Sequence, residues 1–383
     1  MAIAVQTGLL KEALGRVMPF VAKKGYSLPP RNVLLCQQAD VLEIRATDLE
    51  TFARTTISLL GERPGATRVS LGVPPKELMS LLKSLPPDSS LTLEQITPEN
   101  LPLQLKITSA FGIHTLPGIP AEEYPNFSKP GGTHHLTILA PTLREIFEKT
   151  AFAAADDSTR LHLSGIYIHF LSDRTNFVGT DARILSRLSH SQIVAPDAPD
   201  VILPIDTVRA FLKASQIFAP EDDITIALSS VEIAFLHPKL EVLCKVREGH
   251  YPDYQSIITN LNSPPHTAHI NRNSLKKSLE RLILFASDKH PQITLSFSSS
   301  SVALSAKNIA NHNAATETLP CEYRGDPAEI HFWGPQLINI VRHISSENIT
   351  MRITAPNKPV LIEPAPQKPP TEILCLIMPV IPT

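Results

Sequence analysis

The chain has 383 residues, 43% of them hydrophobic and 19% charged, with 35 Lys and Arg against 37 Asp and Glu. That length predicts two or three domains, each able to bury its own core. The balance is too apolar for a disordered chain, no apolar run reaches the ~20 residues of a membrane span, and a net charge of −2 gives no sign, taken as a sum, of a nucleic-acid partner. Only 15 glycines against 35 prolines argues for many short connections and against a glycine-rich nucleotide-binding scaffold.

The N-terminus, MAIAVQTGLLKEALGRV, lacks a basic segment followed by an apolar core, so no secretory signal is expected. Apolar residues at i, i+3, i+4 and i+7 then predict an amphipathic helix over 8–20, followed by strand-like sequence from Asn32 to Thr55. A second helix is predicted over 74–85, followed by the alternating segment Leu91-Thr92-Leu93. This helix–strands–helix–strands order recurs twice more. The first helix returns at 141–152 and 273–285, and the second at 204–215 and 334–345. Leu82-Lys83, Leu212-Lys213 and Val341-Arg342 fall at equivalent places, 130 and 129 residues apart. Thr47-Asp48 and Thr180-Asp181 are 133 apart, and Tyr124-Pro125-Asn126-Phe127 and Tyr251-Pro252-Asp253-Tyr254 are 127 apart. The repeats predict three homologous α+β domains (1–132, 133–262 and 263–383), each with two helices packed on antiparallel sheet. Ser128–Thr133 and Leu261–Pro265 read as linkers.

Charge is segregated within this scheme. The six repeat helices with their immediate ends hold twelve Lys and Arg against six Asp and Glu, a balance of +6, which leaves −8 on the rest of a chain of net charge −2. The cations are Lys11, Arg16, Lys76, Lys83, Arg144, Lys149, Arg209, Lys213, Lys276, Lys277, Arg281 and Arg342, with Lys23 and Lys24 just past the first helix. Helices commonly carry such residues on solvent faces. Their recurrence in every repeat also suits non-specific binding of a phosphate backbone, which rests on counterion release and reads no bases.

Catalytic signatures are missing. There is no phosphate-binding P-loop, H-E-x-x-H or G-x-S-x-G motif, and no catalytic residue, metal ligand or cofactor is assigned. The cysteines (Cys36, Cys244, Cys321 and Cys375) are far apart in strand-like runs and read as reduced, buried thiols of a cytoplasmic protein. His134-His135 read as linker residues ahead of a strand, and Asp156-Asp157 and Asp222-Asp223 as turn residues.

Over its whole length the chain resembles bacterial sliding clamps, the beta subunit of DNA polymerase III. The resemblance rests on Ser27-Leu28-Pro29 with Asn32-Val33-Leu34-Leu35, Ala46-Thr47-Asp48-Leu49-Glu50, and Thr115-Leu116-Pro117 running to Tyr124–Phe127. It continues through Leu163-Ser164-Gly165, Thr180-Asp181, Tyr251–Tyr254 and the late Met378-Pro379. It implies a non-enzymatic processivity factor: a head-to-tail homodimer whose ring encloses duplex DNA with the basic helices facing inward. It also implies a seam between Phe111 and Ile113 of one chain and Leu284 and Phe285 of the other. An apolar pocket for short peptides of polymerase and clamp-loader subunits would comprise Arg160, Leu163, Thr180, Arg183, Leu185, Pro252, Ile257, Leu376, Met378 and Pro379. The chain departs from the family at Ala182-Arg183-Ile184, where Gly-His-Arg is usual, and in the proline-rich stretch Pro364–Pro370. An accessory clamp-like scaffold that binds peptides without enclosing DNA is the alternative.

Overall fold

A computed structural model of the chain describes residues 2–22, 29–61, 69–99, 101–126, 131–156, 159–261, 265–308 and 310–381. The helices among them are α1 (Thr7–Val17), α2 (Pro75–Ser84), α3 (Ala140–Ala151), α4 (Ile205–Ala214), α5 (Tyr254–Thr259), α6 (Arg272–Leu282) and α7 (Gly334–His343). Six match the predicted repeat helices to within a few residues. The predicted ends of the first and fifth tighten into 3-10 turns at Met18–Phe20 and Ile283–Phe285. The seventh, α5, lies in the Tyr-Pro-Asp-Tyr segment, and six residues are too few to show a period.

The chain divides into two compact units, Met1–Arg144 with Asp206–Val246, and Glu145–Ile205 with Arg247–Thr383. This division cuts across the sequence repeats because the sheets do. In the first unit, strand Leu240–Lys245 of the second repeat pairs antiparallel with Thr51–Ser58 of the first, Val242 opposite Ala53. One nine-stranded sheet therefore runs through both segments, beside a four-stranded sheet of Ala2–Gln6, Ser90–Ile96, Gln104–Ser109 and Gly112–Pro117. In the second unit, Ile184–His190 pairs with Thr371–Ile377, Leu188 opposite Ile373, within a twelve-stranded sheet. The three segments predicted as strands after the second helix of each repeat lie in Ser90–Ile96, Asp223–Leu228 and Asn348–Ile353.

The helices bury the stripe their sequences predict. In the first unit α1 buries Thr7, Leu10, Ala13, Leu14 and Val17, and α2 packs beside it through Pro75, Leu78 and Leu82. In the second, α6 buries Leu275, Ser278, Leu279 and Leu282 against α7, which contributes Leu337, Ile338, Ile340 and Val341. Each buried Leu or Ile stabilises the fold by about 1.5–3 kcal/mol relative to exposure. The charged residues are thereby left on the faces turned away from the sheets.

Repeat equivalence extends to single hydrogen bonds. Thr47 Oγ1 donates to Thr51 O at 2.8 Å and accepts from Leu49 N, while Asp48 Oδ1 accepts from Glu50 N and Thr51 N. At an offset of 133, Thr180 Oγ1 donates to Ile184 O at 2.6 Å and accepts from Ala182 N, while Asp181 Oδ1 accepts from Arg183 N and Ile184 N, both at 2.7 Å. Ala22 N donates to Pro30 O and Thr47 O, as Ala155 N does to Leu163 O and Thr180 O. Tyr124 Oη donates to Arg45 O, and Tyr251 Oη to Val178 O. The Thr-Asp pair is thus a turn device: its two side chains satisfy the tip amides that the strand ladder cannot reach.

Two sequence readings change here. His134 and His135 are not linker residues; they open strand His134–Leu139, opposite Leu228 and Ala227. Asp223 is not a turn residue but opens strand Asp223–Leu228, opposite Leu139. Asp222 acts as read, accepting from Ala219 N at 2.8 Å and from Lys239 Nζ at 3.0 Å, with its carboxyl held low chiefly by the backbone bond. Asp157, Ser128–Pro130 and Asn262–Pro264 lie outside the described residues. Cys244, Cys321 and Cys375 are buried as read, whereas Cys36 is only half-buried; none is in a disulfide, and desolvation pushes the Cys321 and Cys375 thiols up to about 11 and about 12.

The tip of the second Thr-Asp turn is strained. Ala182 sits at φ +73°, in the left-handed region that costs a side chain roughly 1–2 kcal/mol. Ala182→Gly is expected to stabilise the second unit by about 0.5–1 kcal/mol, and Asp181→Ala, which strands two amides, to destabilise it by about 1–3 kcal/mol. Urea denaturation of the two variants checks both signs.

Candidate functional site

The helix cations fall into two groups. Lys76, Lys83 and Lys213 in the first unit, and Lys277 in the second, are exposed and make no hydrogen bond or ion pair with any described residue. The others are engaged or half-buried. In the first unit Arg16 lies 3.4 Å from Glu12, and desolvation lowers its pKa. Arg144 donates to Ser215 O, and Lys11 and Arg209 are half-buried. In the second unit Arg281 donates to both carboxylate oxygens of Glu317, and Arg342 places two guanidinium nitrogens on Glu280 Oε1, at 3.0 and 2.7 Å. Lys276 is half-buried. Lys23 and Lys24 lie outside the described residues.

Lys149 departs furthest from the predicted role. Its ammonium donates to His343 O and Ser345 Oγ just past the C-terminus of α7, and desolvation lowers its pKa. A cation there answers the unpaired carbonyls of the helix end. His343 stacks on Phe152 at 4.1 Å, closing the same corner. Lys149 thus ties α3 to α7 and is not presented as a free surface charge.

The four predicted seam residues are all large hydrophobics left in solvent: Phe111 is 67% exposed, Ile113 64%, Leu284 76% and Phe285 41%. In the first unit Ile113 lies on Gly112–Pro117, the edge strand of the four-stranded sheet. In the second unit Leu284 and Phe285 lie in the turn after α6, which packs on strands Ser301–Asn308 and Asn313–Arg324. Along Asn313–Pro320 the latter strand pairs with Ser301–Asn308 on one side only. Among the described residues its other side is paired only from Cys321 to Arg324. Each unit thus carries an open strand edge next to exposed apolar side chains.

The predicted pocket residues all belong to the second unit. Thr180 pairs with Leu185 across a hairpin, and Leu185 pairs with Leu376 on the next strand. Leu185 and Leu376 join Val178, Tyr254, Ile258, Leu261, Leu361 and Leu374 in one apolar cluster. Met378 N donates to Arg183 O at 2.9 Å, and Val380 N to His331 O at 2.8 Å, so Met378-Pro379 is held at both ends. Leu163 is reached through Ala155 N, which it shares with Thr180, and Arg160 donates to Asp181 O at 3.1 Å. Helix α5 supplies the remaining wall. Tyr254 and Ile258 face the cluster, while Ile257, 43% exposed, and Pro252 face outward.

A polar relay holds α5 in place. Asn176 Nδ2 donates to Tyr254 Oη at 2.9 Å, which lies 2.7 Å from His169 Nδ1. Tyr167 Oη donates to Asp200 Oδ2 while its ring stacks on Tyr251 at 4.7 Å. Burial raises the pKa of Tyr254 and Tyr251, so both remain phenols.

The structure adds residues that the sequence reading passed over. Trp333, Gln336, His290 and Gln292 line a cavity of about 400 Å³ with Arg183, Met378 and Pro379. Trp333 is the one tryptophan of the chain and stands immediately ahead of α7, a signal that composition alone offered.

Antiparallel sheets backed by paired amphipathic helices define the class: a DNA-clamp fold. Residues 137–253 match the family described as DNA polymerase III beta subunit, central domain, and 263–380 match its C-terminal domain. The chain belongs to the DNA polymerase III beta subunit family, the bacterial beta sliding clamps. It is 28% identical to the beta sliding clamp of Rickettsia bellii, with 99% of each chain covered, and 24% identical to that of Caulobacter vibrioides, covering 94% of this chain and 95% of that one. In fold it is similar to the crystal structure of the DNA polymerase III subunit beta from Pseudomonas aeruginosa, with TM-score 0.89, 23% identity, and 99% and 100% of the two chains covered.

Tyr254→Phe removes the phenol between Asn176 and His169 and leaves the buried Asn176 amide and the half-buried His169 ring short of a partner. It is expected to cost about 1–3 kcal/mol, read as an earlier urea midpoint of the second unit. An unchanged midpoint would show that the relay does not hold α5.

Proposed function

We propose that this sliding clamp acts as a head-to-tail homodimer of three-domain chains (1–132, 133–262 and 263–383) that encloses duplex DNA and tethers polymerase and clamp-loader subunits by short peptides. The observation that carries the reading is the pair of open strand edges flanked by Phe111 and Ile113 in one unit and by Leu284 and Phe285 in the other. Two different surfaces of one chain make a heterologous contact, which closes into a ring when the rotation permits. Pairing Gly112–Pro117 with Asn313–Pro320 of a second copy would remove both edges and cover the four apolar side chains.

The DNA contacts follow from the charge pattern. Lys76, Lys83, Lys213 and Lys277 are the cations best placed to meet phosphates, since their ammonium groups have no partner among the described residues. Arg16, Arg281 and Arg342 reinforce them through a field already reduced by Glu12, Glu317 and Glu280. Binding of this kind reads no sequence and weakens steeply with salt. The tethering surface is the apolar floor of Leu185 and Leu376 with Leu163, Thr180, Pro252, Ile257, Met378 and Pro379 at its rim. A flexible Met accommodates more than one apolar anchor. The work is done by enclosure and docking, without a chemical step, in the cytoplasm where replication proteins act. Among the described residues no helix is long and apolar enough to cross a membrane.

Retention on nicked circular plasmid, with release once the plasmid is linearised, tests enclosure; equal loss from both forms overturns it. Phe111→Asp with Leu284→Asp is expected to give monomers by light scattering and to abolish retention. A wild-type monomer at micromolar concentration would favour the scaffold alternative. Lys76→Glu, Lys83→Glu, Lys213→Glu and Lys277→Glu together are expected to shorten retention without unfolding. They should also lower the steepness of log affinity against log salt by about one for each phosphate no longer neutralised.

A further inference from the structure

The proline-rich stretch in which the chain departs from its family forms a strap with a cavity beneath it. The strap joins strand Val360–Ala365 to strand Thr371–Ile377. Val360 pairs with Ile377 at the other end of that hairpin, so the strap lies at the end remote from Met378. It is pinned on both sides. Gln367 Nε2 donates to Ile373 O at 2.7 Å, and Gln367 Oε1 accepts from Ile373 N at 3.0 Å. Ser191 N donates to Pro370 O at 3.1 Å, and Thr371 N to Lys368 O at 3.0 Å. The cavity measures about 260 Å³. Pro364, Pro366, Pro369, Pro370 and Ile373 wall it, and Glu145 of α3 and Lys368 of the strap border it. All of these residues belong to the second unit.

Both ionic groups at the cavity are unpaired. Glu145 stands one turn before Lys149, a spacing that ordinarily gives an ion pair. Lys149 is taken instead by His343 O and Ser345 Oγ. Glu145 is left exposed, with no hydrogen bond or ion pair to any described residue, and Lys368 is likewise exposed and unpaired. An anionic ligand would meet Glu145, and a cationic one Lys368. A neutral aromatic group with an N–H donor suits both: the carboxylate accepts its proton, and the ammonium lies over its ring. The volume is below the ~300–1,000 Å³ of drug-sized sites and fits a single side chain. Proline has no N–H, so the rim offers acceptors in excess. The carbonyls of Pro366 and Pro369 accept from no described residue, an arrangement suited to the amides of a peptide that carries the side chain.

We propose that the strap cavity is a docking station for a tryptophan side chain presented by a partner protein. The indole packs between the pyrrolidine rings, its N–H meets the Glu145 carboxylate, and Lys368 covers its face. Walls of proline fixed at Ile373 and Ser191 need no ordering on binding. The station is separate from the Met378-Pro379 site, so it stands or falls apart from the peptide-docking reading above.

The test uses the full chain and the blocked tripeptide acetyl-Gly-Trp-Gly-amide, followed by saturation-transfer NMR of the peptide. A Kd of about 1 mM is expected, as suits a ligand anchored by one ring system. Methylating the indole nitrogen removes the donor and should weaken binding about fivefold. Glu145→Ala should erase that ratio, and Lys368→Met should weaken both peptides about twofold. Met378→Ala should change none of these values. No saturation transfer at about 5 mM peptide, equal binding of the methylated and unmethylated peptides, or a ratio that survives Glu145→Ala overturns the proposal. So does loss of binding in Met378→Ala, which would place the peptide at the other site. Free indole binding as tightly as the tripeptide would assign the cavity to a small molecule and overturn the partner reading.

Discussion

Antiparallel pairing between strands of different repeats is the constraint on which the architecture depends. A repeat with two helices and a short set of strands buries one face but leaves strand edges with unpaired amides and carbonyls. Here Leu240–Lys245 satisfies Thr51–Ser58 in the first unit, and Thr371–Ile377 satisfies Ile184–His190 in the second. The pairing turns separate sheets into continuous ones, fixes the register of whole repeats, and explains why the compact units do not coincide with the sequence repeats. It also determines what remains open. Among the edges left open are Gly112–Pro117 and the unpaired side of Asn313–Pro320, and both lie beside exposed apolar side chains.

The same economy operates at the hairpin tips. A strand ladder satisfies amides only where a partner strand runs alongside. At the turns after Thr47 and Thr180 the Thr and Asp side chains take over, with the same four bonds in both places. In the second repeat the device does more. It holds Arg183 O toward Met378 N, so the turn that completes a hairpin also positions the rim of the candidate peptide site. The left-handed residue at each tip, Leu49 and Ala182, is the conformational cost of the turn itself, borne where a glycine would be unstrained.

Much of this was legible in the sequence, and the reasons differ by element. Six helices were readable because an apolar stripe of period 3.6 persists over three turns in each, and their threefold recurrence reinforced a pattern that single stretches carry weakly. Helix α5 was not, because six residues span less than two turns and its anchor is a phenol in a polar relay. The seam residues were readable only through family resemblance, since Phe111 and Leu284 look like core residues in a one-dimensional string; their exposure is a three-dimensional fact. Lys149 shows the converse. It sits at a helix position where a solvent-facing cation is expected, yet the end of α7, almost two hundred residues away in sequence, supplies two acceptors for it. Composition cannot foresee such a partner. Trp333 was visible as a lone tryptophan, but its place beside Met378 and Arg183 depends on a C-terminal segment pinned to His331 O.

The division of the cations bears on how weak a DNA contact a clamp should have. Twelve unopposed cations per chain would give a steep salt dependence and a grip that resists sliding, since each phosphate neutralised contributes about 0.9 to the slope of log affinity against log salt. Three of the twelve are opposed by a carboxylate and two more are held by neutral acceptors. Glu12, Glu280 and Glu317 sit against three of them, and Ser215 O and the α7 end take Arg144 and Lys149. What stands clear is a sparse set of lysines, whose ammonium groups are point charges on flexible stems, a chemistry that suits phosphate without fixed geometry. Arginine forks would instead hold phosphates bidentately and add barriers between successive positions along the duplex. Carboxylate-damped arginines with sparse free lysines are therefore the electrostatic surface expected where retention comes from enclosure and the contact itself must stay smooth.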